Sequence, residues 1–400
     1  MINEIRQKVA AHFAEIQAIR HHIHAHPELS FEEYQTSNFI ASKLTEYGIT
    51  NQTVVAGTGI IALIEGKNPG KCCIALRSEL DALPILEANN VAYRSQNDGV
   101  MHACGHDVHT TCLLSAARIL NEMKDEWEGT IKLIFQPGEE KHPGGASLLI
   151  AAGVLENPRP QAIIAQHVYP TLPAGVVGFR SGQYMASTDE IYITVEGKGG
   201  HAALPNTTID PIAIAAQLIT NLQQVVSRKA NPIIPTVLSF GRISGGHVNN
   251  VIPDKVEIEG TFRTMDEKWR NEAHQWIREI TYHTCAAYGA TSTVAIPKGY
   301  PSLFNDPAFT AQAESWAKQF LGDNNVKLLD LRMTADDFAF YSHEIPGCFY
   351  RLGTNRGGTE FTASVHNAHF DIDEDALKTG TGLMTWLALN ALGQQETVNS

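Results

Sequence analysis

The sequence has no low-complexity tract, no repeat at solenoid periods, no block of basic residues and no C-x-x-C pair. The first two absences exclude a disordered or fibrous chain and a stacked-repeat protein. Positive charge is in short supply: 30 Lys and Arg stand against 43 Asp and Glu, a net charge of -13. Such a surface repels phosphate backbones and acidic lipid headgroups, so neither nucleic acid nor a membrane is expected as a partner. The six cysteines, Cys72, Cys73, Cys104, Cys112, Cys285 and Cys348, sit mostly inside apolar runs, as reduced, buried thiols do. Only Cys104 has polar company. The opening "MINEIRQKVAAHFAEIQAIR" carries a polar or charged residue every few positions, without the apolar core of a signal peptide or the length of a membrane span. The expected location is the cytoplasm.

At 400 residues, with 43% hydrophobic and 18% charged residues, the chain is an ordinary globular protein. It exceeds the roughly 250 to 300 residues at which single cores stop growing, so two domains are expected. Through the first 180 residues short apolar runs, "IIALIEG", "CCIALR", "IKLIF" and "AIIAQH", alternate with the helical patterns "HTTCLLSAARILNEM" and "GASLLIAAGVL". That is the rhythm of an α/β domain, a mostly parallel mixed sheet flanked by helices. From about residue 188 the order becomes β-α-β-β-α-β, the ferredoxin-like α+β unit. After it "PAFTAQAESWAKQFL", "GCFYRLG" and "DEDALKTGTGLMTWLALNAL" resume the first rhythm. The expected organisation is a discontinuous catalytic domain, residues 1–186 and 299–400, with residues 187–298 inserted into it.

Ligands of an open α/β sheet bind beyond the carboxyl ends of its strands. There the sequence places Glu79 and Asp81 in "RSELDALP", Glu139 and Glu140 in "QPGEE", and His167 after "AIIAQ". "MHACGHDVHTT" adds Cys104 and His106 in the turn before a helix. Each has a bland alternative when taken singly: a buried thiol and a helix-capping histidine, a solvated acidic loop, a core histidine, a turn cap before Pro84. Their shared location favours one site, and gathered carboxylates call for a cation, because unpaired they repel and take up protons. Mixed Cys, His and Glu donors point to zinc or another late first-row ion. On a continuing strand Glu139 and Glu140 would face opposite ways, but Pro137-Gly138 permits a turn that brings both to the site.

Other histidine- and glycine-rich stretches read differently. The four histidines of "HHIHAHPELS" fall at the end of an amphipathic N-terminal helix that Pro27 stops, and read as structural. His109, one turn after His106, has no assignment. "GKGGH" and "GRISGGH" lack the strand-turn-helix context of a phosphate loop.

The motifs "HAHPELSFEE", "RSELDALPILE", "MHACGHDVH", "FQPGEE", "GKGGHAALP", "GGHVNNVIPD", "GTFRTMD", "DDFAFYS" and "VHNAHFDIDED" run in order along nearly the whole chain. In this the sequence resembles the metal-dependent aminoacylase and carboxypeptidase family, in particular the branch with hippurate hydrolase, N-acetyldiaminopimelate deacetylase and plant auxin-conjugate hydrolases. The resemblance implies two divalent metal ions per chain (Zn, Mn, Co or Ni) held by Cys104, His106, Glu140, His167 and His366, with Cys104 as a bridge. It implies Glu139 as general base, Asp81 as the residue that orients the site, and His201 as a stabiliser of the tetrahedral oxyanion, reaching into a partner subunit's cleft. Asn250 and Arg263 would hold the substrate's carboxylate. A homodimer through the inserted domain follows in the same way. This sequence departs from the branch at Glu79, where aspartate is usual, at Asp336, where glutamate is usual, and at Asn249 beside Asn250. The extra methylene of Glu79 would press on the metal site or bring a further ligand to it.

The expected activity is hydrolysis of the amide bond of N-acyl amino acids. A carboxypeptidase or dipeptidase is the alternative within the same chemistry. Two other classes compete: a cysteine hydrolase with Cys104 as nucleophile and His106 or His109 as base, and a non-catalytic binding protein whose site Glu79 has disabled.

Overall fold

The computed structural model describes residues 1–356 and 363–393. Four largely buried runs, Thr130–Gln136, Cys73–Glu79, Ala162–Pro173 and Gly347–Asn355, lie side by side and mutually parallel. Such strands are apolar on both faces because both are covered. Gly59–Glu65 and Gln52–Val55 extend the sheet antiparallel on one side, and Val177–Phe179 and Val326–Leu328 extend it on the other, eight strands in all.

The alternation of side chains along Gly347–Asn355 shows how both faces are closed. The Phe349 ring stacks on Phe338 of the short helix Phe338–Glu344, with centroids 5.1 Å apart. On the other face, a Cβ added to Gly380 in the helix Asp375–Gly393 would lie 2.9 Å from Leu352 and 2.6 Å from Cys112 in the helix His106–Glu122. The N-terminal helix Ile2–Ala25 packs on these two helices.

By its contacts the chain forms two compact units. One holds Met1–Gly182, Phe304–Asp330 and the described residues from Asp337 onward. The other holds Gln183–Leu303 and Leu331–Asp336, so it gathers a short late segment as well as the middle of the chain.

The second unit has a four-stranded antiparallel sheet in the order Thr236–Ser244, Lys255–Thr264, Asp189–Glu196, Thr291–Ala295. Helices Pro211–Gln224 and Glu267–Ala286 connect its strands in the β-α-β-β-α-β order of a ferredoxin-like unit. Along Asp189–Glu196 buried and more exposed residues alternate, with Ile191, Ile193 and Val195 on the inner face. They pack in one cluster with Leu218 and Leu222 of the first helix and Ile277 of the second. Among the described residues no helix is long and apolar enough to cross a membrane.

Candidate metal centre

Most side chains of the first unit's centre are brought in by elements that end or turn there. Gly105, at φ 82°, precedes the helix His106–Glu122, and a Cβ on it would come within 2.6 Å of Val168. Glycine therefore lets this helix start press against the strand that carries His167, leaving Cys104 Sγ 3.5 Å from His167 Nε2. The strand does not end at His167 as expected. It runs on to Pro173 because Gly347–Asn355 continues beside it, while pairing with Cys73–Glu79 stops at Ala165. His167 is thus uncovered on one side of a continuing strand.

Thr130–Gln136 ends before Pro137, and Gly138 takes φ 57°, a left-handed turn that carries both glutamates inward. His106, Glu139 and Glu140 then offer one ligand atom each within 4.8 Å of one another. Cys104, His106 and His167 form a second such trio, and Cys104, Glu140 and His366 a third. Cys104, His106 and Glu140 each belong to two of the three. His366 arrives at φ 61°, its backbone N–H donating to Ala103 O at 2.8 Å and its Nε2 lying 3.1 Å from Glu140 Oε1.

Asp81 ties this together without being free to ligate. Its Oδ2 accepts from Ser30 Oγ at 2.6 Å and from the Glu140 backbone N–H at 2.9 Å. His106 Nδ1 is 3.2 Å from its Oδ1 and 2.8 Å from its carbonyl oxygen. With Nδ1–H so engaged, His106 Nε2 is the ring atom left available to a cation. That atom is buried and has no hydrogen-bond partner; Glu140 Oε1 is likewise buried and unpartnered by hydrogen bonds. His167 Nδ1–H donates to Val168 O at 2.8 Å, which also leaves its Nε2 for the centre.

The electrostatics suit a cation. Burial and the Glu140 and Glu139 carboxylates push the Cys104 thiol well above its ordinary value. Burial opposes protonation of His106, but the Asp81 hydrogen bond and the charges of Asp81, Glu79 and Glu140 outweigh it, raising the ring to about 10. Burial, aided by Arg351, holds His167 well below the ordinary histidine value, so it is neutral and fit to ligate. A soft thiolate, imidazoles and carboxylates around orphaned buried donor atoms fit late first-row divalent ions.

A family model described as Peptidase family M20/M25/M40 matches residues 75–390. The chain belongs to this family. Membership places it among metal-dependent hydrolases that act on amide bonds. An N-acetyl-L-cysteine deacetylase of Bacillus subtilis is 42% identical over 361 residues, covering 90% of this chain and 84% of that protein. A thermostable carboxypeptidase of Saccharolobus solfataricus is 38% identical over 374 residues, 93% of this chain and 94% of its own. A Bacillus subtilis crystal structure described as a dinuclear metal-binding peptidase of the M20 family matches with a TM-score of 0.81 at 36% identity, over 96% of this chain and 99% of the other.

The remaining residues that the family resemblance singled out lie in the second unit. His201 and Asn250 flank one small ladder, in which Val251 pairs with His201 and the Ala202 N–H donates to Asn250 O at 3.0 Å. Arg263 is on the strand Lys255–Thr264, half-buried, its Nη1–H donating to Met333 O at 3.1 Å.

Sequence reasoning missed the layer behind the ligands. Glu79 is engaged on both oxygens, one bound by Arg77 and the other 2.8 Å from His109 Nδ1, while an oxygen of it also lies within 4.8 Å of donor atoms of His106 and His109. His109 Nε2 accepts the Val168 N–H at 2.8 Å, so both its ring nitrogens are engaged. Arg77 also donates to Asp337 Oδ1 at 2.6 Å and to Gln136 Oε1 at 3.0 Å. The one available signal was the helical spacing of His109 from His106, which puts it over the same strand ends. Of the histidines of "HHIHAH", His24 is a packing residue, buried between Asp107, at 2.8 Å, and Glu87, at 3.2 Å.

Proposed function

We propose that the chain hydrolyses the amide bond of N-acyl amino acids with two divalent ions per chain, held by Cys104, His106, Glu140, His167 and His366. The observation that carries this reading is a set of overlapping donor trios in which Cys104, His106 and Glu140 each recur, more donors than one ion needs; the bridging role of Cys104 rests on the family resemblance. Bound there, the ions would polarise the substrate carbonyl and supply a nucleophilic water at neutral pH. Zinc, manganese, cobalt and nickel all suit the donor set.

Glu139 is buried within reach of this set, and on the family resemblance it acts as general base. Its carboxylate takes a proton from the attacking water and delivers it to the leaving nitrogen, so that water and amide become carboxylic acid and amine. Asp81 holds the His106 ring and the Glu140 backbone in place. From the second unit, on the family resemblance, His201 stabilises the oxyanion from a partner copy in a homodimer. Asn250 and Arg263 bind the substrate carboxylate, the guanidinium by a forked pair of hydrogen bonds. Residues 187–298 serve as lid and dimerisation domain. Peptide hydrolysis by the same centre is the second reading, favoured by the likeness to a carboxypeptidase.

The test is elemental analysis of the chain, paired with amino-acid release from N-acetyl and N-benzoyl amino acids and short peptides, before and after chelation. Two ions per chain and turnover abolished by chelator are expected. Turnover that survives chelation and dies on alkylation would replace this reading with a Cys104 nucleophile.

A further inference from the structure

Glu33 lies in "HAHPELSFEE", distant in sequence from every ligand, yet its carboxylate is wholly buried. Its Oε1 accepts the Gly138 N–H at 2.8 Å and the Phe31 N–H at 2.9 Å, and its Oε2 accepts from Thr58 Oγ1 at 2.6 Å. Gly138 is the residue whose left-handed turn aims Glu139. Its carbonyl is held from the other side, by the Gly145 N–H at 3.0 Å. Beneath the turn lies the Phe31 ring, so close that a Cβ on Gly138 would fall 2.3 Å from it. Phe31 itself is held at φ 69°, a strained conformation for an aromatic residue that persists only where its surroundings enforce it.

Glu139 therefore stands between two peptide groups, each fixed by a buried carboxylate: Gly138 by Glu33 and Glu140 by Asp81. The same short segment reaches both, because Ser30 donates to Asp81. We propose that Glu33 is a positioning residue for the hydrolytic reaction, fixing the Pro137–Gly138 turn so that the Glu139 carboxylate is held where it must move a proton. This rests on the reading of Glu139 as the base. Nothing in Glu33's hydrogen bonding requires a charge: a glutamine could accept both N–H groups through Oε1 and donate through its amide to the Thr58 hydroxyl.

The test compares Glu33→Ala and Glu33→Gln with wild type for kcat, KM, metal content and Tm, with Glu139→Gln alongside. Glu33→Ala is expected to lose about 10- to 100-fold in kcat with KM and bound metal unchanged, the range seen when a group supporting a metal site is removed. Glu33→Gln is expected to recover most of that loss. Wild-type kcat in Glu33→Ala, metal loss in step with its kcat, or a Glu33→Gln enzyme as impaired as Glu33→Ala would each overturn the proposal. Should Glu33→Ala not fold, Thr58→Val removes only the hydroxyl that pins Oε2. A lowered kcat at unchanged KM supports the proposal there, and wild-type kcat overturns it. Failure of the underlying reading has its own signature, a Glu139→Gln enzyme that still turns over.

Discussion

Neighbouring residues of one type take different tasks here because their second atoms are engaged differently. His106 and His109 are one helical turn apart, but the Val168 N–H occupies His109 Nε2 while His106 Nε2 has no partner. For the proposed division between Glu139 and Glu140, Glu140 has its backbone N–H bound by Asp81 and His366 against its carboxylate. From this, Glu139→Gln should abolish turnover with bound metal nearly unchanged, whereas Glu140→Gln should lower both; elemental analysis beside turnover separates them, and equal metal loss would refute the division. Glu79→Ala strips a buried partner from Arg77 and from His109. It should destabilise the first unit by about 1–3 kcal/mol, read by denaturant unfolding, because the buried His109 N–H loses its acceptor while Arg77 keeps Asp337.

The helix Glu267–Ala286 shows how one element is locked to its sheet. Asp266 caps it, accepting the Trp269 N–H at 2.7 Å. One turn in, Arg270 makes two bonds to Asp189, at 2.6 and 2.8 Å, and His274 reaches the same carboxylate at 2.7 Å; Glu267 also pairs with Arg270. Burial works against the Asp189 charge, but Arg270 and His274 outweigh it and hold its pKa at about 2. A carboxyl depressed on folding stabilises above its unfolded pKa of about 3.9 and loses that contribution as pH falls through the folded value. Stability from this group should be level from pH 7 to near 4 and decline between about 4 and 2. Acid titration of unfolding, with Asp189→Asn lacking that decline, checks it. The elements themselves were legible where packing imposes a period: Lys255–Thr264 coincides with the expected run "KVEIEGTFRT". Gln52–Val55, Val177–Phe179 and Val326–Leu328 escaped because strands of three or four residues carry no period to read.

For the whole molecule, the proposed action of His201 across a dimer has a direct readout. Inactive His201→Ala and inactive Glu139→Gln chains, mixed and allowed to exchange, should regain part of wild-type turnover, because each heterodimer holds one intact combination. No recovery in demonstrated heterodimers would place His201's action within one chain.

Sequence alone determined the longer strands and helices, the ferredoxin-like middle of the chain and the residue types gathered at the candidate metal centre. Those follow from burial periods and from the donor chemistry of Cys, His and Glu, both local properties of the chain. Only the tertiary structure decided which histidine nitrogens are spoken for, that Arg77 and His109 take up Glu79, and that Glu33 reaches Gly138. Apart from Arg77 and Glu79, two positions apart on one strand, these bonds join residues 30 to 105 positions apart, and no local pattern records which of several buried carboxylates a distant donor will meet.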